Sequence, residues 1–394
     1  MVWRVWGILC GISVLYSCTK GGENIVHRGD ILVEDLPEVE YVAYNDETYI
    51  DSCRYIVLET TDESLIGSIG HLVVYREEFY LFDKTVKQIL RFGKDGKFLC
   101  RYGRKGGGPG EYATLSSFYV DTYRGEVGLF DPMSYRVHRY RIDGEYIETV
   151  QIREKTPISF FGKCEMLNAE EIVCQVHPNM MNVYSVIVLD RSDYSIKRVL
   201  SEHYAQNRNS RTDISNSSFS VCDEAVSCVK IFSDTLTVYG TDSVMTQVFS
   251  RSLPAMPLNV LRQRVEEKNY MGAYYSTNRE GKFTTGFGAI YESPRWIYLE
   301  FPYKLDPGSG LLWDKENNFG VLISMDGVPE NYLWNLRDFS GTEGRLWVKV
   351  LTGENIEHFK DRSGKDAPFG WKEFVETYDT ENDNPILLLY YMAD

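Results

Sequence analysis

The residues best suited to chemistry lie in a glycine-rich stretch between positions 103 and 112. Repeated glycines leave backbone N–H groups available to an anion, and the stretch adds side chains at Arg104, Lys105, Glu111 and Tyr112. It lacks the Gly-Lys-Ser/Thr ending of a nucleotide-binding P-loop, and no Gly-x-Gly-x-x-Gly opens a helix here. Two interpretations stay open: a ligand-binding loop that uses these four side chains, or a connection between structural repeats.

Other catalytic and metal-binding patterns are missing from the sequence. The six histidines show no spacing that a metal site requires, and no Gly-x-Ser-x-Gly motif is present. The 57 acidic residues could supply a glycosidase pair, but the separation of two carboxylates is a three-dimensional quantity. We therefore expect no metal and no cofactor, and the catalytic residues stay unassigned.

Aromatic residues make up 14% of the chain and are mostly tyrosine, which favours strands over helices. Such side chains either stack on sugar rings or fill the layers between sheets. The candidates for stacking are Tyr274, Tyr275, Trp296, Trp313 and Trp334.

The charge of the chain argues against nucleic acid as a partner. The formal net charge is -15 at pH 7, and the sequence has no basic stripe. Proteins that bind phosphate backbones use clustered Lys and Arg side chains. We expect a glycan, a peptide or an envelope protein as the partner instead.

The first residues form a targeting segment. Arg4 precedes an apolar stretch, 7–15, which is about half the ~20 residues that a membrane-spanning helix needs. Leu15-Tyr16-Ser17-Cys18 follows and resembles the bacterial lipobox, although Tyr16 is bulkier than the residue usual there. The resemblance implies a lipid on Cys18 and a chain held in the cell envelope, with the outer membrane favoured. A cleaved signal peptide without lipid is the alternative.

Six cysteines remain after the targeting segment and the proposed lipid site. An even number permits disulfides in an oxidising compartment, and Cys164 with Cys174 or Cys222 with Cys228 are near enough in sequence. Buried free thiols are the alternative. No Cys-x-x-Cys pair supports a zinc site.

An internal repeat predicts the architecture. Three strand-like runs and an Asp-Gly turn recur 48 residues later: 78–83, 88–92, Asp95-Gly96 and 98–102, then 126–131, 136–140, Asp143-Gly144 and 146–150. Asp-Gly supplies the positive φ that a tight hairpin requires, so each copy is an antiparallel meander. A meander of three or four strands at this period is a blade of a β-propeller.

Strand-like runs continue to the C-terminus and allow six such units, the last one built from 332–336, 345–351 and 385–391. Two stretches interrupt them: 257–269 has the pattern of a short amphipathic helix, and 355–378 is a helical or irregular insertion. An open ring would leave unpaired strand edges. We therefore expect Tyr55 to Leu58 to pair with the last blade.

Four segments share features with a known family: Phe92-Gly93-Lys94-Asp95-Gly96-Lys97-Phe98, the Gly103–Tyr112 stretch, the opening Val57-Leu58-Glu59-Thr60-Thr61 and the closing Asn384-Pro385-Ile386-Leu387-Leu388-Leu389-Tyr390. They resemble the six-bladed β-propeller lipoproteins of Bacteroides and related gut bacteria. The resemblance covers nearly the whole mature chain. It implies NHL-like blades with the N-terminal strand completing the last one, and it implies little about activity.

The sequence thus predicts an all-β fold: a six-bladed β-propeller of four-stranded antiparallel blades, closed by the N-terminal strand, with short helical insertions. We expect a signal peptide at 1–17, a lipid anchor and tether at 18–50, and one propeller domain at 51–394. The expected function is an exported, lipid-anchored binding or scaffold protein that meets the membrane only through its lipid. The alternative is an enzyme on glycans or peptides, with acid/base carboxylates or a metal at the central channel.

Overall fold

The computed structural model describes residues 24–158, 160–177, 183–204, 217–301, 309–324, 336–359 and 370–394. Its strands build six four-stranded antiparallel sheets. The first strand of every sheet contacts the first strands of the two neighbouring sheets, so the sheets form a closed ring. The predicted six-bladed β-propeller is therefore confirmed. Residues 1–17 and Cys18 lie outside the described residues, so the signal peptide, the lipid site and the domain boundaries stay predictions.

Four strands and a short 3-10 helix, Val33–Asp35, precede the first blade. β1 and β2 pair in parallel with the outermost strand of the fourth blade, and β3 pairs with that of the fifth. We call residues 24–39 the strap, because they bind two blades from outside; they belong to the stretch predicted as a tether. The strands are β1 Asn24–His27, β2 Ile31–Leu32, β3 Glu38–Val39 and β4 Ile50–Val57.

The first two blades contain the sequence repeat. The predicted runs are the second, third and fourth strands of each blade, and the innermost strand was missed both times. In the second blade all five residues of that strand are buried, so it has no alternation to detect. The strands are β5 Ile69–Tyr75, β6 Glu78–Asp83, β7 Gln88–Phe92, β8 Phe98–Tyr102, β9 Arg104–Lys105, β10 Glu111–Tyr112, β11 Ser117–Asp121, β12 Glu126–Asp131, β13 Arg136–Arg141 and β14 Tyr146–Gln151, where β9 and β10 lie between the blades.

The aspartate that ends the second strand explains the Phe-Asp mark of the repeat. Asp83 is fully buried and accepts backbone hydrogen bonds from Gly67 at 3.1 Å and Thr85 at 2.8 Å. Asp131 does the same with Ala113 at 2.9 Å and Met133 at 3.0 Å. Each carboxylate therefore ties the segment that enters its blade to the turn after its own strand.

The next three blades follow the same order, from the innermost to the outermost strand. Their strands are β15 Phe161–Asn168, β16 Glu171–Val176, β17 Tyr184–Asp190, β18 Ile196–Glu202, β19 Ser217–Cys222, β20 Ala225–Lys230, β21 Thr235–Tyr239, β22 Ser243–Ser250, β23 Ala289–Glu292, β24 Trp296–Glu300, β25 Gly310–Asp314 and β26 Phe319–Ile323.

The sixth blade closes the ring with β4 as its outermost strand. Its other strands are β27 Phe339–Glu343, β28 Leu346–Leu351 and β29 Ile386–Met392. Tyr55 pairs with Leu388 and Val57 with Ile386, so the predicted closure by the N-terminal strand is confirmed. The innermost strand is β27, not the predicted run 332–336, of which 332–335 lies outside the described residues.

The turn glycine of the first blade packs on this closing strand. Gly96 has φ 81°, and a Cβ there would lie 2.1 Å from the carbonyl oxygen of Val57. The backbone N–H of Glu59 also donates to the Gly96 carbonyl at 2.9 Å. The predicted Asp95-Gly96 turn thus requires glycine for its conformation and for the close approach of β4.

The described parts of the connections between strands contain three α-helices: α1 Leu258–Glu280, α2 Gly353–Phe359 and α3 Trp371–Val375. The predicted helix 257–269 is the first half of α1, which breaks at Asn269, with φ 65°, and continues to Glu280. Within the described ranges, no helix combines the length and the apolar character needed to cross a membrane.

Apolar side chains fill the spaces between adjacent blades. Between the fifth and sixth blades, the rings of Phe339 and Trp347 meet edge to face with centroids 4.9 Å apart. All six described cysteines are free thiols. Cys164 and Cys174 are cross-strand neighbours and buried, whereas Cys222 and Cys228 do not pair in register.

Candidate functional site

The glycine-rich stretch is the connection from β8, the outermost strand of the first blade, to β11, the innermost strand of the second. Its two ends run side by side, because β9 and β10 pair in parallel with Arg104 opposite Glu111. The structure therefore supports the interpretation as a link between repeats. A role in ligand binding stays a prediction for Arg104, Lys105, Glu111 and Tyr112.

The carboxylate of Glu111 closes this loop from inside. Its Oε2 accepts a hydrogen bond from the backbone N–H of Gly108 at 2.8 Å, and its Oε1 accepts one from Nε of Arg104 at 2.7 Å. The Gly108 amide and then Arg104 hold the pKa of Glu111 below its usual value. A Cβ on Gly106 would lie 2.0 Å from Oε2, so a larger residue there would displace the Glu111 carboxylate. The loop binds its own carboxylate, which makes it a preformed wall rather than an open phosphate cradle.

The other two predicted residues, Tyr112 and Lys105, differ in their exposure to solvent. Tyr112 is buried between the first and second blades, and this burial raises its pKa to about 12. Lys105 is exposed. Close by, the Tyr140 hydroxyl of the second blade donates a hydrogen bond to the carbonyl of Gly110, which fixes the end of the loop. Tyr112 therefore anchors the loop, and Arg104 and Glu111 are the two predicted residues that face a cavity.

That cavity is a groove of about 470 Å³ at the rim of the ring, between the first and second blades. β8 forms one wall with Phe98, Leu99 and Arg101, and the glycine loop forms another. Tyr146 of β14 closes the other side, and its ring would be 2.8 Å from a Cβ on Gly110. We call this cavity the rim groove.

The lining of the rim groove is partly apolar and partly polar. Leu99 and Tyr146 are 46% and 36% exposed, which is high for large apolar side chains in strands. Charges of both signs stand around them, from Arg101 and Arg104 on one side and Glu63 on another. Aromatic faces beside charged hydrogen-bonding groups suit a sugar or an extended peptide.

Sequence reasoning missed most of the groove. Leu99 and Tyr146 carry a signal, because both are large side chains on outermost strands of the repeat and both stay exposed. To recognise these two side chains as parts of one groove, a reader of the sequence would have to know which strand of each blade is outermost and which blades are neighbours. The sequence of a single repeat contains neither piece of information, because both depend on how the blades assemble into the ring.

A second group of perturbed residues lies between the fifth and sixth blades. Burial, and then the nearby charge of Asp338, raise the pKa of Glu300 to about 7. Burial lowers the pKa of Lys349 to about 8. Glu300 ends β24 opposite Ala289 of the innermost strand β23. In the ranges listed above as described, no three His, Cys, Asp or Glu side chains are grouped so that they could hold a metal ion.

The described aromatic residues that were proposed to stack on sugars form two groups, the buried tryptophans and the more accessible tyrosines. Trp296 and Trp313 are buried in the spaces between blades, and Nε1 of Trp296 donates to the carbonyl of Ala393 at 2.7 Å. Tyr274 and Tyr275 both lie on α1, where Tyr274 is half-buried and Tyr275 is 56% exposed. Trp334 lies outside the described residues. Packing therefore accounts for both tryptophans.

Three comparisons bear on the family and the fold. The profile of a family described as "Domain of unknown function (DUF4934)" matches residues 38–391. The chain is similar to a candidate exported protein of Bacteroides fragilis, with 18% identity, a TM-score of 0.68, and 94% of this chain and 100% of that one covered. It is also similar to a member of the DUF4221 family from Bacteroides vulgatus, with 13% identity, a TM-score of 0.55, and coverages of 91% and 99%. No curated protein matches the sequence.

Proposed function

The chain belongs to the family described as a domain of unknown function, DUF4934, and from that premise we propose that it is an exported, lipid-anchored, NHL-like propeller that binds a ligand in the rim groove. The ligand class is a glycan or an extended peptide of the cell surroundings. The protein acts as a binding or scaffold component rather than as an enzyme.

One observation carries this proposal: the rim groove is preformed by bonds within the protein. Glu111 already satisfies the Gly108 amide and orients Arg104, and Tyr140 holds the Gly110 carbonyl. A ligand would not have to order these groups. Preorganisation of this kind reduces the entropy lost on binding.

Export and lipidation are supported by the N-terminal segment, where an apolar run ends in Leu15-Tyr16-Ser17-Cys18. The name of the Bacteroides fragilis neighbour, a candidate exported protein, agrees with this part of the proposal. Acylation of Cys18 would be read directly from the mass of the N-terminal peptide.

Binding is tested by a thermal-shift screen of residues 24–394 against plant and host glycans and peptides. A ligand present at 100 times its Kd stabilises the native state by about 2.7 kcal/mol, which a melting curve resolves. The same screen on Tyr146→Ala should lose the shift, because this side chain forms one wall. Tyr123→Ala is the matched control, since Tyr123 is 52% exposed on a hairpin of the second blade outside the groove.

The thermal-shift screen can support or contradict both the position of the site and the class of ligand. A hit that Tyr146→Ala abolishes and Tyr123→Ala retains supports binding in the rim groove. A hit that both variants retain moves the site elsewhere. No hit with any glycan or peptide overturns the proposed ligand class.

A second candidate function, catalysis, is favoured by Glu300 alone. A carboxyl group with a pKa of about 7 can act as a general acid near neutral pH. The same raised pKa has a structural signature: the folded chain binds this proton more tightly, so stability falls as the pH rises from about 4.5 to 7. Glu300→Gln should remove that fall, which a set of denaturation curves at different pH measures. Only loss of glycan or peptide turnover in Glu300→Gln, with Glu316→Gln unaffected, would indicate catalysis.

A further inference from the structure

The point at which the chain enters the ring is fixed by the strap. β1 pairs in parallel with β22, with Asn24 opposite Ser243 and His27 opposite Thr246. Nδ1 of His27 lies 2.6 Å from Oγ1 of Thr246, and the Arg28 amide donates to the Thr246 carbonyl at 2.9 Å. The first described residue of the chain is therefore held on the outermost strand of the fourth blade.

Further contacts hold the rest of the strap. β2 continues along β22 with Ile31 opposite Phe249, and the amide of Ser252 donates to Oε1 of Glu34 at 2.8 Å. Val33 is completely buried in the cluster that joins the fourth and fifth blades. The strap is thus part of the folded ring, and it does not act as a loose spacer.

The chain between Cys18 and Asn24 is short. An extended chain spans at most about 3.6 Å per residue, so the six steps from Cys18 to Asn24 reach roughly 20 Å. A lipid on Cys18 would hold the outer edge of the fourth blade within that distance of the bilayer. The strap also exposes the apolar side chains of Val26 and Leu32, by 36% and 39%.

The rim groove lies on the opposite side of the ring. In a closed ring of six blades, the first blade faces the fourth, and the space between the first and second faces the space between the fourth and fifth. The groove occupies the former space, and the strap binds the outer edges of the latter two blades.

From this arrangement we infer that the propeller stands on a lipid surface by the rim of its fourth and fifth blades and presents the rim groove away from the membrane. The inference rests on the proposed lipid anchor at Cys18. The strap sets the orientation, because it leaves only a short segment between the lipid and a fixed strand pair. The occupant of this rim is a bilayer surface and not a protein partner.

The test uses the chain from Cys18 to Asp394, made with Cys18 as its N-terminal residue. A cyanobenzothiazole lipid reacts with the N-terminal aminothiol and spares the internal cysteines, so the lipid is attached whether or not cells acylate the protein. An encoded azidophenylalanine carries a fluorophore in place of Thr241 or Lys94. Both positions are exposed in the turn before the outermost strand, on the fourth and on the first blade.

Vesicles of phosphatidylcholine that contain nitroxide-labelled lipid then quench any fluorophore close to the bilayer. We expect position 241 to be quenched several-fold more strongly than position 94. A flexible linker of about 30 Gly and Ser residues inserted between 23 and 24 should remove the difference, because the span of such a chain exceeds that of the native segment. Equal quenching at both positions without the linker, or stronger quenching at position 94, overturns the inference.

The lipid anchor itself is tested separately by mass spectrometry of the protein purified from its own cells, with Cys18→Ser as the control. An unmodified Cys18 in the native protein overturns the proposed anchor, and hence the physiological relevance of the orientation. A modified Cys18 together with equal quenching leaves the anchor standing and overturns only the orientation.

Discussion

The two sides of the ring finish their outermost strands in different ways. On the fourth and fifth blades, β22 receives β1 and β2 and β26 receives β3, so the strap covers both edges. On the first two blades, the described residues add no strand to β8 or β14, and the rim groove opens beside them. The blades themselves share one plan.

The difference shows that segments outside the blades determine which outermost strand edges are covered. An unpaired strand edge offers a row of backbone donors and acceptors that another chain can use. On β22 and β26, the strands of the strap supply partners of the same chain for these backbone groups. The first two blades leave theirs beside a shaped cavity, which suits a ligand from outside.

The largest effect is expected from removing the closing strand. A chain that begins at residue 59 lacks the strap and β4, so β29 keeps only β28 as a partner and we expect the ring to open. We expect this chain to show no cooperative thermal transition by calorimetry. A chain that begins at residue 40 keeps β4 and should still melt cooperatively, at a lower temperature. Wild-type melting of the shorter chain would contradict ring closure as a condition of folding.

A smaller loss of stability is expected from a single substitution in the strap. Val33→Asp puts a charge into the cluster with Phe249 and Leu322 and should cost about 3 kcal/mol of the free energy of unfolding. Val86→Asp is the matched control, because Val86 is 46% exposed and should change stability by less than about 0.5 kcal/mol. Urea denaturation measures both. Similar values for the two variants would mean that the strap is not packed as described.

On the groove side we expect a pH effect rather than a large loss of stability. The pKa of Glu111 is lowered in the folded chain, so its hydrogen bonds stabilise the loop above the ordinary glutamate pKa. That contribution is lost as the pH falls through the lowered value. The amide signal of Gly108 in NMR spectra should follow this titration, and Glu111→Gln should abolish it. A Gly108 signal that titrates at the ordinary glutamate pKa would argue against the hydrogen bond between the Gly108 amide and the Glu111 carboxylate.

The smallest effect on stability is expected from a substitution on β8, to which the described residues add no further strand. Leu99→Lys places a charge on β8 where the side chain is 46% exposed, so the free energy of unfolding should change by less than about 0.5 kcal/mol. Any ligand found in the thermal-shift screen should nevertheless bind this variant more weakly, because Leu99 lines the groove. Unchanged binding would remove β8 from the site and weaken the contrast between the two rims.

Much of the fold could be predicted from the sequence. The strand-like runs and the Asp-Gly turns of the first two blades lie where the structure has β6 to β8 and β12 to β14, because the Phe-Asp and Asp-Gly marks of the repeat lie within and between these strands. The innermost strands β5 and β11 were missed, since both precede these marks, and β11 is in addition buried along its whole length. The strands of the strap could not be predicted, because two-residue strands such as Ile31–Leu32 leave no periodic signal.

The candidate site was predictable only in part. The glycine loop and its charged residues could be found from composition, but the sequence could not tell that Glu111 binds the backbone of its own loop. Nor could it separate Tyr112, which packs in the core, from Arg104, which faces the groove. The second distinction depends on the next blade, whose Tyr140 holds the Gly110 carbonyl and whose Tyr146 lines the groove.

The sequence by itself determined the all-β class, the blade repeat and the closure of the ring, because these follow from local periodicity, turn residues and the need to pair strand edges. Only the tertiary structure decided which residues form the groove, how the strap covers the fourth and fifth blades, and which carboxyl groups have shifted pKa values. Those properties arise where segments distant in sequence meet, and the contacts between them depend on the geometry of the closed ring.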